Sequence, residues 1–419
     1  MIFDLVFEGG GAKGFAFVGA LDQFLGRGHA VDRLLGTSAG SIAATLVAAG
    51  YSMPELLAAM AEKKDGKSVF AGFMGAPKAF DGAVFKAGAL NALLRRFDIP
   101  FVPAGAEDAL RAKFLRYLAA KPPGNNLFSL IELGGWFSAD AFLEWLERRL
   151  NEGELNGRPR NFGAMTMREY YAATEKDLSL VATDTSEHIM LVLNHRTAPD
   201  LPVRWATRMS MSIPLLWQEV VWNSDWGDYA GRDVSGHAIV DGGVVSNFPL
   251  ELFLSSNKEV TALMGEKKSS HVLGLLIDEK LEVPGARAPA PAGQGGFQLG
   301  ELKTVRRLEN LVDTLLESHD KSVIEAFEDT VVRLPAAGYG TTEFEMTEER
   351  RELLIEAGRA AMKVYLDRME PTLRKLEDRA LAQANVAFGL EGEVPQPASN
   401  PAADKMAHRI LGSNQLLGK

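Results

Sequence analysis

No cysteine occurs anywhere in the 419 residues. The chain therefore forms no disulfide, offers no thiolate nucleophile and holds no Cys-ligated zinc. The absence fits a reducing compartment. No run of eighteen or more apolar residues is present, so no membrane-spanning helix is expected. An excess of basic charge is missing as well: 45 Lys and Arg face 55 Asp and Glu, a formal net charge of −10. That balance argues against nucleic-acid binding and against general attraction to anionic membranes, while leaving room for local basic patches. Met1–Phe7 has no basic n-region and no signal-peptide h-region. These absences together predict a cytoplasmic protein, with export by a non-classical route left open.

What is present is ordinary globular composition, 46% hydrophobic and 24% charged. The length suits one large α/β domain with insertions, or two or three average domains. Residues 2–8 read as a buried strand and Phe15–Leu25 as a helix ending at Gly26 and Gly28. Val31–Leu35 is a second strand, followed by a helix of small residues (Ala43, Ala44, Ala48, Ala49) stopped by Gly50. This β-α-β-α rhythm predicts a parallel sheet. Further on, Asp140–Leu150 and Val203–Ser212 read as helices, the second cut off before Pro214. Leu178–Thr183, Ile189–Leu193 and Val272–Ile277 read as strands, and Ile239-Val240 leads into Asp241. Residues 284–300 look like a mobile loop. Helices are expected at about 301–328 and 347–369 around a strand at 331–334, and fraying from 393.

Two glycine-rich turns stand in this frame. Gly36-Thr37-Ser38-Ala39-Gly40 has the form of a nucleophile elbow, in which a strand-to-helix turn presents the serine hydroxyl. The following helix N-terminus favours a developing oxyanion. Glu8-Gly9-Gly10-Gly11-Ala12-Lys13-Gly14 admits several readings. It fits a dinucleotide fingerprint, but the second strand ends at Gly36-Thr37-Ser38 where the ribose-binding acid is wanted. It fails as a phosphate loop, because Phe15 stands where Lys is needed. It suits an oxyanion hole, since glycines let backbone N–H groups approach a carbonyl oxygen. A tight turn with no ligand is the bland alternative.

A serine nucleophile needs a base. None of the seven histidines lies in a glycine-rich turn. An order Ser38–Asp241–His271 is conceivable, but His271 follows a polar run and reads as a solvated loop histidine. Asp241-Gly242-Gly243 follows an apolar strand, where a carboxylate base would stand, and desolvation there would raise its pKa. Taken alone, it is equally an ordinary Asp-Gly turn.

In combination the blocks Gly9–Gly14, Gly36–Gly40 and Asp241–Gly243 resemble the signature blocks of the patatin-like phospholipases. Arg204–Pro214 resembles that family's helix ending in Ser-x-x-Pro, Val181–Asp184 a recurring strand end, and Asn247 and Pro249 fit as well. Lys13 fills a slot often held by Arg. The resemblance covers residues 1–370 and leaves 371–419 as a polar C-terminal extension, helical at first and then flexible. It implies a three-layer α/β fold with a mostly parallel central sheet flanked by helices, plus helical insertions. It implies a Ser38–Asp241 dyad without histidine, and an oxyanion hole from the N–H groups of Gly10, Gly11 and Ala39. Gly9, Ala12, Lys13, Gly14, Gly36, Gly40, Gly242 and Gly243 would support the loops. The implied substrate is an ester lipid met at a membrane surface, cleaved through an acyl-enzyme without calcium, cofactor or metal. The Phe-containing segment 66–88 and Pro214–Trp217 are candidates for the acyl channel. A non-catalytic lipid-binding module on the same fold is the competing class, a nicotinamide enzyme a distant third; a protein activator is an open question.

Overall fold

A computed structural model describes residues 1–77, 80, 88–96, 104–267, 269, 271–286, 322–341, 343–387 and 400–411. Eight strands form the main sheet: β1 (Ile2–Phe7), β2 (Ala30–Thr37), β3 (Asp177–Asp184), β4 (Ile189–Leu193), β5 (Val220–Val221), β6 (Ala238–Asp241), β7 (His271–Glu282) and β8 (Val331–Ala337). The helices that matter below are α1 (Phe15–Gly26), α2 (Ala39–Ala48), α3 (Ala104–Leu118), α4 (Gly124–Leu133), α5 (Asp140–Asn151), α6 (Val203–Ser210), α7 (Glu348–Ala387) and α8 (Pro401–Leu411). The strands β3, β2, β1, β7 and β8 lie side by side and run parallel, as the β-α-β-α rhythm predicts. β4 and β6 pair antiparallel with β3, and β5 pairs antiparallel with β6.

The strands are apolar on both faces because helices cover both. Phe3, Leu5 and Phe7 point into one core with Leu34, Leu180 and Leu275, while Val6, Leu35, Val181 and Leu276 point into the other. This period of two divides each strand between two buried layers. α1 and α7 pack in the first layer and α8 in the second. The result is three layers about a mostly parallel sheet, the arrangement expected from the sequence.

One detail of register governs the site. β2 pairs with Asp177–Val181 of β3, and β6 pairs with Ala182–Asp184. β4 occupies Leu180–Asp184 along the opposite edge. β2 and β6 therefore share one edge of β3 and run head to head. Thr37 stands opposite Val181, and Asp241 opposite Ala182, the very next residue.

Several expectations need correction. The helix expected to end near 369 runs through Pro371 to Ala387. Pairs on both sides of the proline pin it: Glu370 to Arg27 and His29, Glu377 to His271. The expected boundary at residue 370 falls inside this helix. α6 stops at Ser210, two residues short of the expected end. Fraying was expected from 393, yet residues 401–411 form a docked helix, with Ala403, Ala407 and Leu411 buried at helical spacing. Asp404 holds it, its Oδ1 accepting from Ser255 Oγ, Ser256 N and Asn257 N at 2.5, 2.8 and 3.1 Å. The segments 287–321 and 388–399, covering most of the expected loop and helix there, lie outside the described residues.

Candidate active site

β2 ends at Thr37 and α2 begins at Ala39, so Ser38 alone turns the chain, at φ 52° and ψ −122°. A non-glycine residue in that region is strained and is held by its surroundings. The Ser38 carbonyl accepts from Ser41 N–H at 2.9 Å and from Ser41 Oγ–H at 2.6 Å. The Ser38 N–H donates to Ser210 Oγ at 3.2 Å. The flanking glycines are needed for clearance. A Cβ on Gly40 would stand 2.4 Å from the Phe7 carbonyl oxygen, and one on Gly36 2.5 Å from the Gly40 oxygen.

The glycine loop after β1 lies against this turn. Gly9 N–H donates to Asn247 O at 3.2 Å, and Asn247 Nδ2 donates back to Gly9 O at 2.9 Å. Gly10 backs onto Ile277, and Gly14 onto Ala39. Gly11 has φ +53°, and a Cβ there would lie 2.1 Å from Thr341 O. Ala12 N–H donates to that same oxygen at 2.8 Å. Lys13 is buried and forms an ion pair with Glu279. Among the described residues, no hydrogen bond engages the N–H groups of Gly10, Gly11 or Ala39.

Asp241 ends β6 and is only 4% exposed. Its N–H donates to Ser212 O at 2.9 Å, and its Oδ1 accepts from Gly243 N–H at 2.8 Å. Gly242 lies so close to β3 that a Cβ would stand 2.3 Å from Val181 O. Oδ2 is buried with no formed hydrogen bond among the described residues. Burial pushes the carboxyl up to about 7, while Gly243 N–H and the Ser38 hydroxyl pull it back. The hydroxyl is thus near enough to act on the carboxyl although the hydrogen bond is not closed. Loose geometry of this kind is common in unliganded sites.

Ser38 also opens onto an apolar cavity that is partly open to solvent. Phe70, Phe73, Trp217, Met211, Ile213 and Phe344 supply much of its wall. Among the described lining residues, the polar N and O side-chain atoms belong to Ser38 and to the Trp217 indole, which already donates to Phe73 O at 3.1 Å. Phe70, Phe73 and Trp217 come from the two segments expected to line a channel. Phe80 instead packs on Phe128, with ring centroids 4.8 Å apart, and Pro214, Leu215 and Leu216 lie off the cavity wall. Phe85 lies outside the described residues.

His271 is not part of this cluster. It opens β7 opposite Phe3, whereas the site lies beyond Phe7 at the other end of the strand. It is buried rather than solvated, with Nε2 3.1 Å from Glu377 Oε1 and its ring against Phe3. The polar run before it misled, because a strand start can be covered by a helix distant in sequence.

Sequence reasoning also overlooked three supporting residues. Ser210 and Ser212 carry the acceptors for the Ser38 and Asp241 N–H groups. Arg208 is 2% exposed and donates to Gln218 O at 2.7 Å, to Ser138 O at 3.3 Å and to Ser212 Oγ. Burial lowers its pKa to about 10. The Arg204–Pro214 block was the available signal, but it did not say which atoms mattered. Glu8 is the fourth omission: its Oε2 accepts from Ile277 N–H at 2.5 Å and its Oε1 from Asn247 Nδ2 at 3.3 Å, tying the loop to β7.

The chain is similar to several known proteins. A Bacillus subtilis (strain 168) protein, "Uncharacterized protein YqhO", is 26% identical over 373 residues, 87% of this chain and 98% of its own. "Probable lipid hydrolase 463L" of Invertebrate iridescent virus 6 is 21% identical over 142 residues, 34% of this chain and 41% of its own. Among solved structures, VipD from Legionella pneumophila gives a TM-score of 0.42 at 15% identity, over 87% of this chain and 66% of that one. The type III effector ExoU of Pseudomonas aeruginosa gives 0.39 at 16%, over 88% and 53%. The chain thus spans about half to two thirds of those solved chains. The family model described as patatin-like phospholipase matches residues 5–254, from β1 past the Asp241 turn. That match takes in more than half the chain and both glycine-rich turns, so the chain belongs to the patatin-like phospholipase family.

Proposed function

We propose that the chain is a serine lipid acyl hydrolase of the phospholipase A or lysophospholipase type, with Ser38 as nucleophile and Asp241 as base. The observation that carries this reading is the head-to-head meeting of β2 and β6 on one edge of β3. It sets Ser38 and Asp241 at facing strand ends, beside free amides and an apolar cavity. A buried carboxyl pushed up to about 7, with the Ser38 hydroxyl close enough to affect it and one oxygen unbonded among the described residues, suits general base work.

In the first step Asp241 takes the Ser38 proton as Oγ bonds to the acyl carbonyl carbon. The carbonyl oxygen becomes an oxyanion held by the N–H groups of Gly10, Gly11 and Ala39, helped by the positive end of α2. The ester C–O bond then breaks, and the leaving alcohol takes the proton from Asp241. In the second step Asp241 deprotonates water, which attacks the acyl carbon. The Ser38–acyl bond breaks, Ser38 regains its proton and the fatty acid leaves. The apolar cavity takes the acyl chain and keeps water from the oxyanion. The glycine loop supplies the positive potential that calcium would otherwise supply, so chelation should leave turnover unchanged.

Ester lipids fit because the described cavity wall is apolar apart from Ser38, as an acyl chain requires. Among the described residues no helix is long and apolar enough to cross a membrane, so substrate would be met from outside the bilayer. The test is product mass spectrometry on a mixed lipid extract, wild type against Ser38→Ala and Asp241→Asn. Wild type releases free fatty acid and both variants release none above background. Wild-type release by either variant would defeat the dyad.

A further inference from the structure

An exposed apolar face lies on α3 and α4. On α3, Leu110, Phe114 and Tyr117 are 45%, 53% and 82% exposed. Their spacing of four and then three places them on one stripe of the helix. On α4, Leu127 and Ile131, again four apart, are 42% and 46% exposed. These helices are not short of a core. Leu115, Ala119 and Phe128 are buried in a cluster between them. Both helices are thus apolar on a buried side and on an open one. Aromatic side chains gathered at this exposure mark a contact surface more than scattered surface residues do.

The charge nearby identifies the partner. Residues 88–133 hold six Lys or Arg against four Asp or Glu, a net +2 in a chain whose total is −10. Lys113, Arg116 and Lys121 are exposed, and none has an ion-pair partner among the described residues. Basic side chains interleaved with exposed aromatic and aliphatic ones suit the headgroup boundary of an anionic lipid surface. The face is also continuous with the site. α4 leads through Gly134 into the short strand Gly135–Phe137, which pairs with Leu215–Trp217. Leu215 is 42% exposed, while Trp217, two residues on, lines the cavity beside Ser38.

We propose that α3 and α4 dock the protein on an anionic lipid surface and set the cavity against it. This rests on the lipid-hydrolase reading for its purpose, but not for its evidence. Lipids would pass along the Leu215–Trp217 strand from the docked face to Ser38.

The experiment uses the full chain with two substrates and two vesicle compositions. Sedimentation is measured with vesicles of phosphatidylcholine alone and of phosphatidylcholine mixed with phosphatidylglycerol. Hydrolysis of a soluble short-chain ester is measured in parallel. The variants are Phe114→Ala/Tyr117→Ala and Lys113→Glu/Arg116→Glu, all at exposed positions. Wild type should partition about tenfold better onto the mixed vesicles, and each double variant should lose about tenfold of that partition. Both variants should keep wild-type turnover of the soluble ester. Equal sedimentation of variants and wild type overturns the proposal, as does wild type that binds neither vesicle. Parallel loss of soluble-ester turnover also overturns it, because the face would then be part of the folded core. Conversion of a wild-type dimer to monomer by the variants would assign the face to a second copy and overturn it too. Wild type that sediments as expected yet cleaves no ester would sink the hydrolase reading and support the docking face.

Discussion

The two ends of the central sheet are built on opposite terms. At the end where the parallel strands begin, charges are paired. Arg33 donates to Asp4 through Nε at 2.9 Å and through Nη2, and its guanidinium lies 4.4 Å from the Phe253 ring centre. Arg196 grips both oxygens of Asp177 at 2.9 and 2.5 Å. Arg27, His29 and His271 all reach carboxylates of α7. At the end where the same strands finish, the centre is left open. Ser38 is strained, Asp241 Oδ2 has no formed hydrogen bond, and the amides of Gly10, Gly11 and Ala39 find no acceptor among the described residues. One end uses its polar groups to hold the fold, and the other leaves them unpaired among the described residues, as the proposed chemistry requires.

The sharpest way to test this contrast is Asp241→Asn, which removes the open charge while keeping the shape. Turnover should fall on the order of 10⁴-fold or more, as when a catalytic carboxylate becomes an amide. Stability should move the other way. The folded carboxyl keeps its proton up to about pH 7, against an ordinary value of 3.8. Between those values the folded state binds more protons than the unfolded one, so wild-type stability drops as pH climbs through the window. The full drop is up to about 4 kcal/mol. Asn escapes it, so the variant should melt above wild type at about pH 8 and close to it near pH 4. Wild-type turnover should rise with pH through about 7, as the base ionises. A variant that melts lower than wild type at alkaline pH would break the comparison.

At the paired end the expected response is inverted. Asp4→Ala leaves Arg33 buried and unpaired, which should cost about 3–5 kcal/mol. Burial already holds the Asp4 carboxyl above its usual range despite Arg33, so the pair keeps its geometry at a desolvation cost. Chemical denaturation should show the loss, with turnover per folded molecule unchanged. Gly11→Ala comes next. Its Cβ would collide with Thr341 O, and the backbone would have to leave φ +53°. Displacing the Gly11 N–H, a proposed oxyanion donor, predicts a drop of roughly 10²–10³ in kcat with KM little changed. The smallest effect is expected from Ser210→Ala, which removes the acceptor for Ser38 N–H. About a tenfold loss of kcat should follow, restored in part by Ser210→Thr, which keeps the hydroxyl.

Much of the site was legible in residue order. The Gly36–Gly40 turn asks for clearance that only glycine provides, and Gly40 indeed stands where a Cβ would strike Phe7 O. The alternating strands were legible for the same reason, since helices on both faces demand Val, Leu and Phe throughout. The unbroken run of that helix through Pro371 was not, because its support comes from Arg27, His29 and His271, more than a hundred residues away in sequence. The docking of residues 401–411 escaped notice likewise, being set by Asp404 beneath Ser255–Asn257. Phe70 and Phe80 look equivalent in sequence, yet one lines the cavity and the other packs on Phe128.

The chain order alone determined the two glycine turns, the serine at the apex of one, the Asp-Gly-Gly strand end and the parallel α/β class. Each is a demand of backbone sterics or of side-chain period upon a few consecutive residues. The tertiary structure alone decided that β2 and β6 abut on β3, that His271 faces the wrong end, and that the Asp241 carboxyl is dry enough to sit near pH 7. Strand register and desolvation are sums over the whole fold, and no short stretch of sequence contains them.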